Sequence, residues 1–191
     1  AVPSISKRVV PLLHDPDPNV RESAVKIAGY FGYPESAGEL LKLSSDPDEQ
    51  VRCAVIEHLP YVENEQAFDA LVRAIKEDTP KVRAAAARAL GNMDAPEVVE
   101  HLIKGLNDED LWVRYFSARA LGRRRSADSI QALKNVLEKE KFNHVRIAAL
   151  DSLGQIGGER IAGVVGELIS DDDPDVAQAA QAAVKRSGQR E

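Results

Sequence analysis

Residues Leu111–Gly122, LWVRYFSARALG, gather the chain's one tryptophan, a tyrosine, a phenylalanine and two arginines. Large rings supply apolar contact area at protein interfaces, and guanidinium groups grip carboxylates or phosphates through forked donors. The chemistry such a stretch can do is recognition. Arg123, Arg124 and Arg125 follow it. At a helix C-terminus they complement the negative end of the helix dipole; the alternative is a clamp for an anionic group on a partner.

Catalytic or metal chemistry finds less to work with. Cys53 is the only cysteine, which excludes an internal disulfide or a Cys-based metal cluster within one chain. The four histidines, His14, His58, His101 and His144, show no convergent ligand spacing. There is no Gly-x-Ser-x-Gly elbow and no Gly-rich phosphate loop. No catalytic residue, no metal site and no cofactor is expected.

The elements that carry these residues follow from a repeat. Val-Arg recurs at Val20-Arg21, Val51-Arg52, Val82-Arg83, Val113-Arg114 and Val145-Arg146, with Val176-Ala177 as a relic; the valines are 31, 31, 31, 32 and 31 residues apart. Four and eight residues after each valine the chain is apolar or small, as at Ala86 and Leu90, so valine and followers share one side of a helix. Asp17, Asp48, Thr79, Asp110 and Asp173 stand where an N-cap is wanted, and Pro18, Pro80 and Pro174 at the first helical position. Gly29, Gly91, Gly122 and Gly154 are expected to close these helices as left-handed caps, with Pro60 in that place in the second unit. An earlier helix in each unit is marked by Val9, Leu40, Leu71, Leu102, Leu133 and Val165, and by Leu13, Ile75, Leu106, Leu137 and Ile169 four residues on. Pro11 and Ser44 interrupt it, predicting kinked or shortened helices there. The pattern gives six helical hairpins, approximately 3–33, 34–64, 65–95, 96–126, 127–158 and 159–191, forming a single all-α solenoid domain over 1–191.

Comparing units separates core from surface. The residue before each valine runs Asn19, Gln50, Lys81, Trp112, His144, Asp175, and the second after it Glu22, Cys53, Ala84, Tyr115, Ile147, Gln178. Such variety predicts solvent- or ligand-facing positions, Cys53 among them. At about 100° per residue, Trp112, Tyr115, Phe116, Arg119 and Arg123 share a stripe roughly 130° from Val113, Ser117, Ala120 and Leu121. Neighbouring columns add Tyr61, Arg88, His144 and Asp151 to this candidate binding surface. The competing reading lays Trp112 and Phe116 over adjacent helices as groove filling. Arginines after each valine recur too regularly for a site and are expected to pair with acidic loop residues between units.

The totals agree with a folded all-α chain: 43% apolar, 29% charged and only 5% aromatic. A formal charge of −6 disfavours nucleic acid. No apolar run approaches the roughly 18 residues of a membrane span, and the start lacks a signal-peptide core. A cytoplasmic protein without a membrane partner is expected.

The pattern D-x-x-V-R-x-x-A-x-x-A-L-G, best seen in TPKVRAAAARALGNMD and DLWVRYFSARALGRRR, resembles the HEAT-repeat family, specifically the short-unit class named after phycobilisome (PBS) lyases. The resemblance implies a right-handed α-α superhelix of the HEAT/armadillo type, whose second helices line a concave, ligand-bearing side. It implies a non-enzymatic scaffold for a protein or peptide partner; the alternative is a bilin-lyase-like subunit handling a tetrapyrrole. A related metal-dependent hydroxylase class carries paired His-Glu dipeptides, whereas here Glu57-His58 and Glu100-His101 reverse the order in non-equivalent places. His58 stands in a column that is otherwise mostly small or apolar and is expected to be packed. Pro3 stands 31 before Pro34 with no polar capping unit ahead of it, so a segment of a larger protein is expected.

Overall fold

The computed structural model describes residues 5–188, and the side chains of all of these except Glu159 and Arg160. Pro3 lies outside the described residues. The chain divides into two compact units, Ala1–Met93 and Asp94–Glu191. The first holds α1 (Ile5–Val9), α2 (Pro18–Phe31), α3 (Ala37–Leu43), α4 (Glu49–His58), α5 (Ala67–Glu77) and α6 (Pro80–Leu90). The second holds α7 (Val98–Gly105), α8 (Leu111–Arg124), α9 (Ile130–Lys139), α10 (Asn143–Ile156), α11 (Glu159–Gly166) and α12 (Pro174–Ser187). No strand occurs among the described residues. The fold is an all-α array of helical hairpins, with α2, α4 and α6 packed in succession in one unit and α8, α10 and α12 in the other.

The valine column forms the core. Val51, Val82, Val113, Val145 and Val176 are sealed, as are Leu59, Leu90, Leu121 and Leu153 eight residues on. Val20 and Val184, in the first and last hairpins, are half-buried. Ile169 departs from its column: α11 gives way to a 3-10 turn at Glu167–Ser170, which rotates the side chain outward to 37% exposure. Pro11 and Ser44 act as expected. Pro11 converts α1 into a 3-10 turn over Val10–His14, and α3 ends at Leu43 while the Ser44 hydroxyl donates to the Leu41 carbonyl at 2.7 Å.

Four of the five predicted caps form. Asp17, Asp48, Asp110 and Asp173 each accept first-turn amides, as in Asp110 to Trp112 N (2.8 Å) and Val113 N (3.2 Å). Thr79 makes no such bond: its own N–H donates to Asp78 Oδ1 at 2.7 Å, and its buried hydroxyl has no hydrogen-bond partner.

The glycines are not left-handed caps. Gly29, Gly122 and Gly154 lie inside α2, α8 and α10, and Gly91 ends α6 in right-handed helical conformation, φ −61°. For the three glycines inside helices the reason is proximity. A Cβ on Gly29 would stand 2.4 Å from His58 Cγ, one on Gly122 2.7 Å from Ser152 Cα, and one on Gly154 2.8 Å from Ala183 Cα. Each lets the residue seven past the next valine press against bare backbone, so second helices approach more closely than any side chain allows. The left-handed turns come one helical turn later, at Gly32 (φ 60°) and, without glycine, Arg125 (φ 51°).

Arginines after the valines bind hairpin to hairpin. Arg21 donates to the Asp15 and Pro16 carbonyls in its own loop and, at 2.8 Å from both Nε and Nη2, to Asp46 in the next. Arg52 does the same with the Asp46 and Pro47 carbonyls and Asp78. In the second unit Arg114 joins the Asp108 and Glu109 carbonyls to Glu140, and Arg146 reaches Asp171. Arg83 donates to the Asp78 carbonyl at 3.0 Å. These forked contacts are largely shielded, so they order the loops more firmly than exposed ion pairs would.

Candidate functional site

α8 presents three rings as one cluster. Asp110 fixes the first turn, holding Trp112 at 49% exposure while Val113, Ser117, Ala120 and Leu121 on the opposite stripe are fully buried. Trp112 meets Tyr115 edge-on at 5.6 Å and Phe116 at 6.2 Å; Tyr115 meets Phe116 edge-on at 5.2 Å. Tyr115 and Phe116 are half-buried. Arg119, one turn along, donates from Nη1 to the Tyr115 hydroxyl at 2.9 Å, with its guanidinium carbon 5.7 Å from that ring's centroid. This pre-sets Tyr115 and leaves Arg119 exposed beside it.

The remaining second-unit candidates frame this cluster unequally. Arg123 is exposed in the last turn of α8. Arg124 donates to the Ala95 carbonyl at 2.9 Å, and Arg125 is the left-handed cap, so two of the three clustered arginines serve the helix end. His144 is exposed in the first turn of α10, and Asp151 further along it pairs with Arg186 at 3.0 Å. In the first unit, Arg88 pairs with Glu57, and Tyr61 stands 63% exposed in the 3-10 turn Leu59–Tyr61.

Cys53 is buried, not surface-facing; burial pushes its thiol up to about 11. Its column is open only in part, because Ala84 is also buried, whereas the column before the valine is exposed from Asn19 to Asp175. His58 is half-buried against Gly29, and burial holds its imidazole below the ordinary range. Among the described residues, no group of three or more His, Cys, Asp or Glu is placed to hold a metal.

One cluster escaped the column comparison. At the end of α2, Tyr30 (80% exposed) meets Phe31 (58%) edge-on at 5.1 Å, and Phe31 stacks on Tyr33 at 5.6 Å and 14°. The usable signal was the column ten past the valine, which reads Tyr30, Tyr61, Asn92, Arg123, Gln155, Arg186, together with the run GYFGYP over 29–34.

Among the described residues no helix is long and apolar enough to cross a membrane. No curated protein matches the chain. The fold is similar to the X-ray structure of the Escherichia coli protein YibA (TM-score 0.73, 20% identity, 96% of this chain and 72% of that one). It is also similar to an engineered protein (0.67, 21%, 98% of each). A designed armadillo repeat protein in complex with the peptide (KR)4 is a third neighbour (0.66, 20%, 96% and 100%). The model for HEAT repeats matches residues 5–79, 39–112 and 99–185, and the chain therefore belongs to the HEAT-repeat family.

Proposed function

We propose that the protein is a non-enzymatic cytoplasmic scaffold that binds a protein or peptide through its second-helix surface, centred on Trp112, Tyr115, Phe116, Arg119 and Arg123. The observation that carries this reading is the half-exposed Trp112 in a three-ring cluster on a helix whose apolar stripe is already sealed against its neighbours. Rigid rings beside a guanidinium combine large apolar area with low ordering cost, the composition of interface anchors. A designed armadillo repeat protein of similar fold holds a peptide, which supports the class of partner.

The test is selection from a displayed peptide library, followed by titration of the enriched peptides against wild type and Trp112→Ala. The variant is expected to bind at least about thirtyfold more weakly, the scale of an anchor truncation. Its melting temperature should stay within about 2 °C, since little packed area is lost. Equal binding would remove Trp112 from the binding surface, and a variant that unfolds would show that the indole is structural. An absorption shift with free bilin that Trp112→Ala abolishes would replace the peptide by a tetrapyrrole.

A further inference from the structure

The second aromatic cluster borders a cavity of its own. In the first unit a groove of about 190 Å³ opens between the end of α2 and the 3-10 turn after α4, walled by Tyr33, Pro34, Leu40, Tyr61 and Val62, with Glu63 at its edge. Tyr33 continues into the Phe31 and Tyr30 rings, so an aromatic strip leads up to it. Of the chain's four tyrosines, four phenylalanines and one tryptophan, four belong to this strip and groove. Holding so many large rings in contact with water carries a free-energy cost, and contiguous exposed apolar patches mark interaction sites.

Size, wall chemistry and charge narrow the occupant. The volume falls below the roughly 300–1,000 Å³ of small-molecule clefts, so it takes one or two side chains and not a cofactor. Ring faces, a proline and Leu40 make a mainly apolar slot, whose one buried polar side chain, Ser36, already donates its hydroxyl to the Tyr33 carbonyl at 2.7 Å; such slots receive proline rings of an extended peptide, which arrives already ordered and exposes unpaired carbonyls. Tyr33 and Tyr61, both in the lining, each carry a hydroxyl able to donate to such a carbonyl. Glu63 is the one charged side chain in the lining, and among the described residues it has no ion-pair partner. Its carboxylate complements a cation.

We propose that this groove binds an extended, proline-containing peptide segment, with a proline ring between Tyr33 and Tyr61 and an arginine or lysine next to it on Glu63. The site lies within the first unit and is independent of the α8 surface. The backbone helps to hold it: Gly32 turns left-handed, which brings Tyr33 back beside the α2 terminus.

The experiment uses the full chain, labelled with 15N, and a capped peptide carrying two prolines spaced three apart and a terminal arginine. Saturable shifts are expected at the amides of Tyr33, Tyr61, Val62 and Glu63. Tyr61→Ala should weaken binding about tenfold, as for a truncated anchor, and Glu63→Lys about fivefold, while restoring affinity for the same peptide with glutamate in place of arginine. Tyr61 is exposed, so thermal melting should confirm that both variants remain folded. The proposal is overturned if the peptide fails to saturate at millimolar concentration, if replacing both prolines by alanine leaves affinity unchanged, or if the shifts fall on α8. It is also overturned if the glutamate peptide binds the unaltered protein as well as the arginine peptide does.

Discussion

The two aromatic clusters are built on different footings. Trp112, Tyr115 and Phe116 stand on the first turns of a fourteen-residue helix, with every residue of the opposite stripe buried and Asp110 capping the entry. Tyr30, Phe31 and Tyr33 straddle a helix end, on either side of a left-handed glycine, and look across a groove at Tyr61 in a short 3-10 turn. The first is edged by arginines and the second by a glutamate. A repeat array leaves two kinds of position open to specialise: faces of its second helices, which are rigid, and the turns that close them, which can be reshaped without disturbing the stack.

The sharpest way to break this contrast is through the glycines beneath it. Gly122→Ala would drive a Cβ into Ser152 on α10, and we expect a loss of about 3 kcal/mol, at the upper end for overpacking. Gly29→Ala meets only side-chain atoms of the half-buried His58, not its backbone, and should cost about 2 kcal/mol. Urea denaturation of the two variants checks the order. If Gly29→Ala proves the worse, the turn cluster rests on the more rigid contact and the contrast reverses.

Next in size are the arginine contacts. Arg114→Ala leaves Glu140 and two loop carbonyls without their guanidinium, and Arg52→Ala does so for Asp78 and its pair; each should lower stability by about 2–3 kcal/mol. Arg114 also lies 5.8 Å over the Phe142 ring, so its loss is expected to be slightly the larger.

A crossed pair of variants separates the two surfaces. Trp112→Ala is expected to weaken the selected peptide by about thirtyfold and leave the proline peptide alone, and Glu63→Lys to weaken the proline peptide by about fivefold and leave the selected peptide alone, each read by titration. Loss of both ligands in either variant would merge the sites.

The smallest effect is in pH. His58 has a pKa held below its usual value by burial, so on acidification the unfolded chain takes up that proton first; stability should begin to fall as pH drops through about 6.5. Asp171 is held below the ordinary carboxylate range by Arg146. Burial pushes Asp46 up, but Arg21 and the Asp48 amide outweigh it, leaving the net direction downward. These carboxylates stabilise the fold above about pH 4 and lose that contribution as pH falls further. A His58→Gln variant should abolish the early phase in urea midpoints measured against pH and leave the later one.

Much of the frame was readable in the residues themselves. The valine register, the aspartate caps and the helix-breaking action of Pro11 depend on local chemistry that recurs every hairpin, and comparison among units exposed it. Gly122 was misread because its signal, a glycine near a helix end, is shared by a cap and by a close crossing; only the neighbour's position tells them apart. Cys53 was placed outside for a related reason. A column can be open in one hairpin and covered in another, since coverage depends on how adjacent helices lean. The α8 rings were legible because the matching positions of the other units carry no such rings, whereas Tyr33 belongs to a connecting segment without a column, and the one column that holds Tyr30, ten past the valine, lies beyond the positions that were compared.

The arginine contacts carry one further consequence. Arg21, Arg52, Arg114 and Arg146 each bind a carbonyl or side chain of their own hairpin and a carboxylate of the next. Every such module thus brings one plug and one socket of matched polarity. Whole modules excised or inserted between Asp15 and Asp78, or between Asp108 and Asp171, would leave no orphaned charge, so length can vary by whole-hairpin steps while the joint chemistry stays intact.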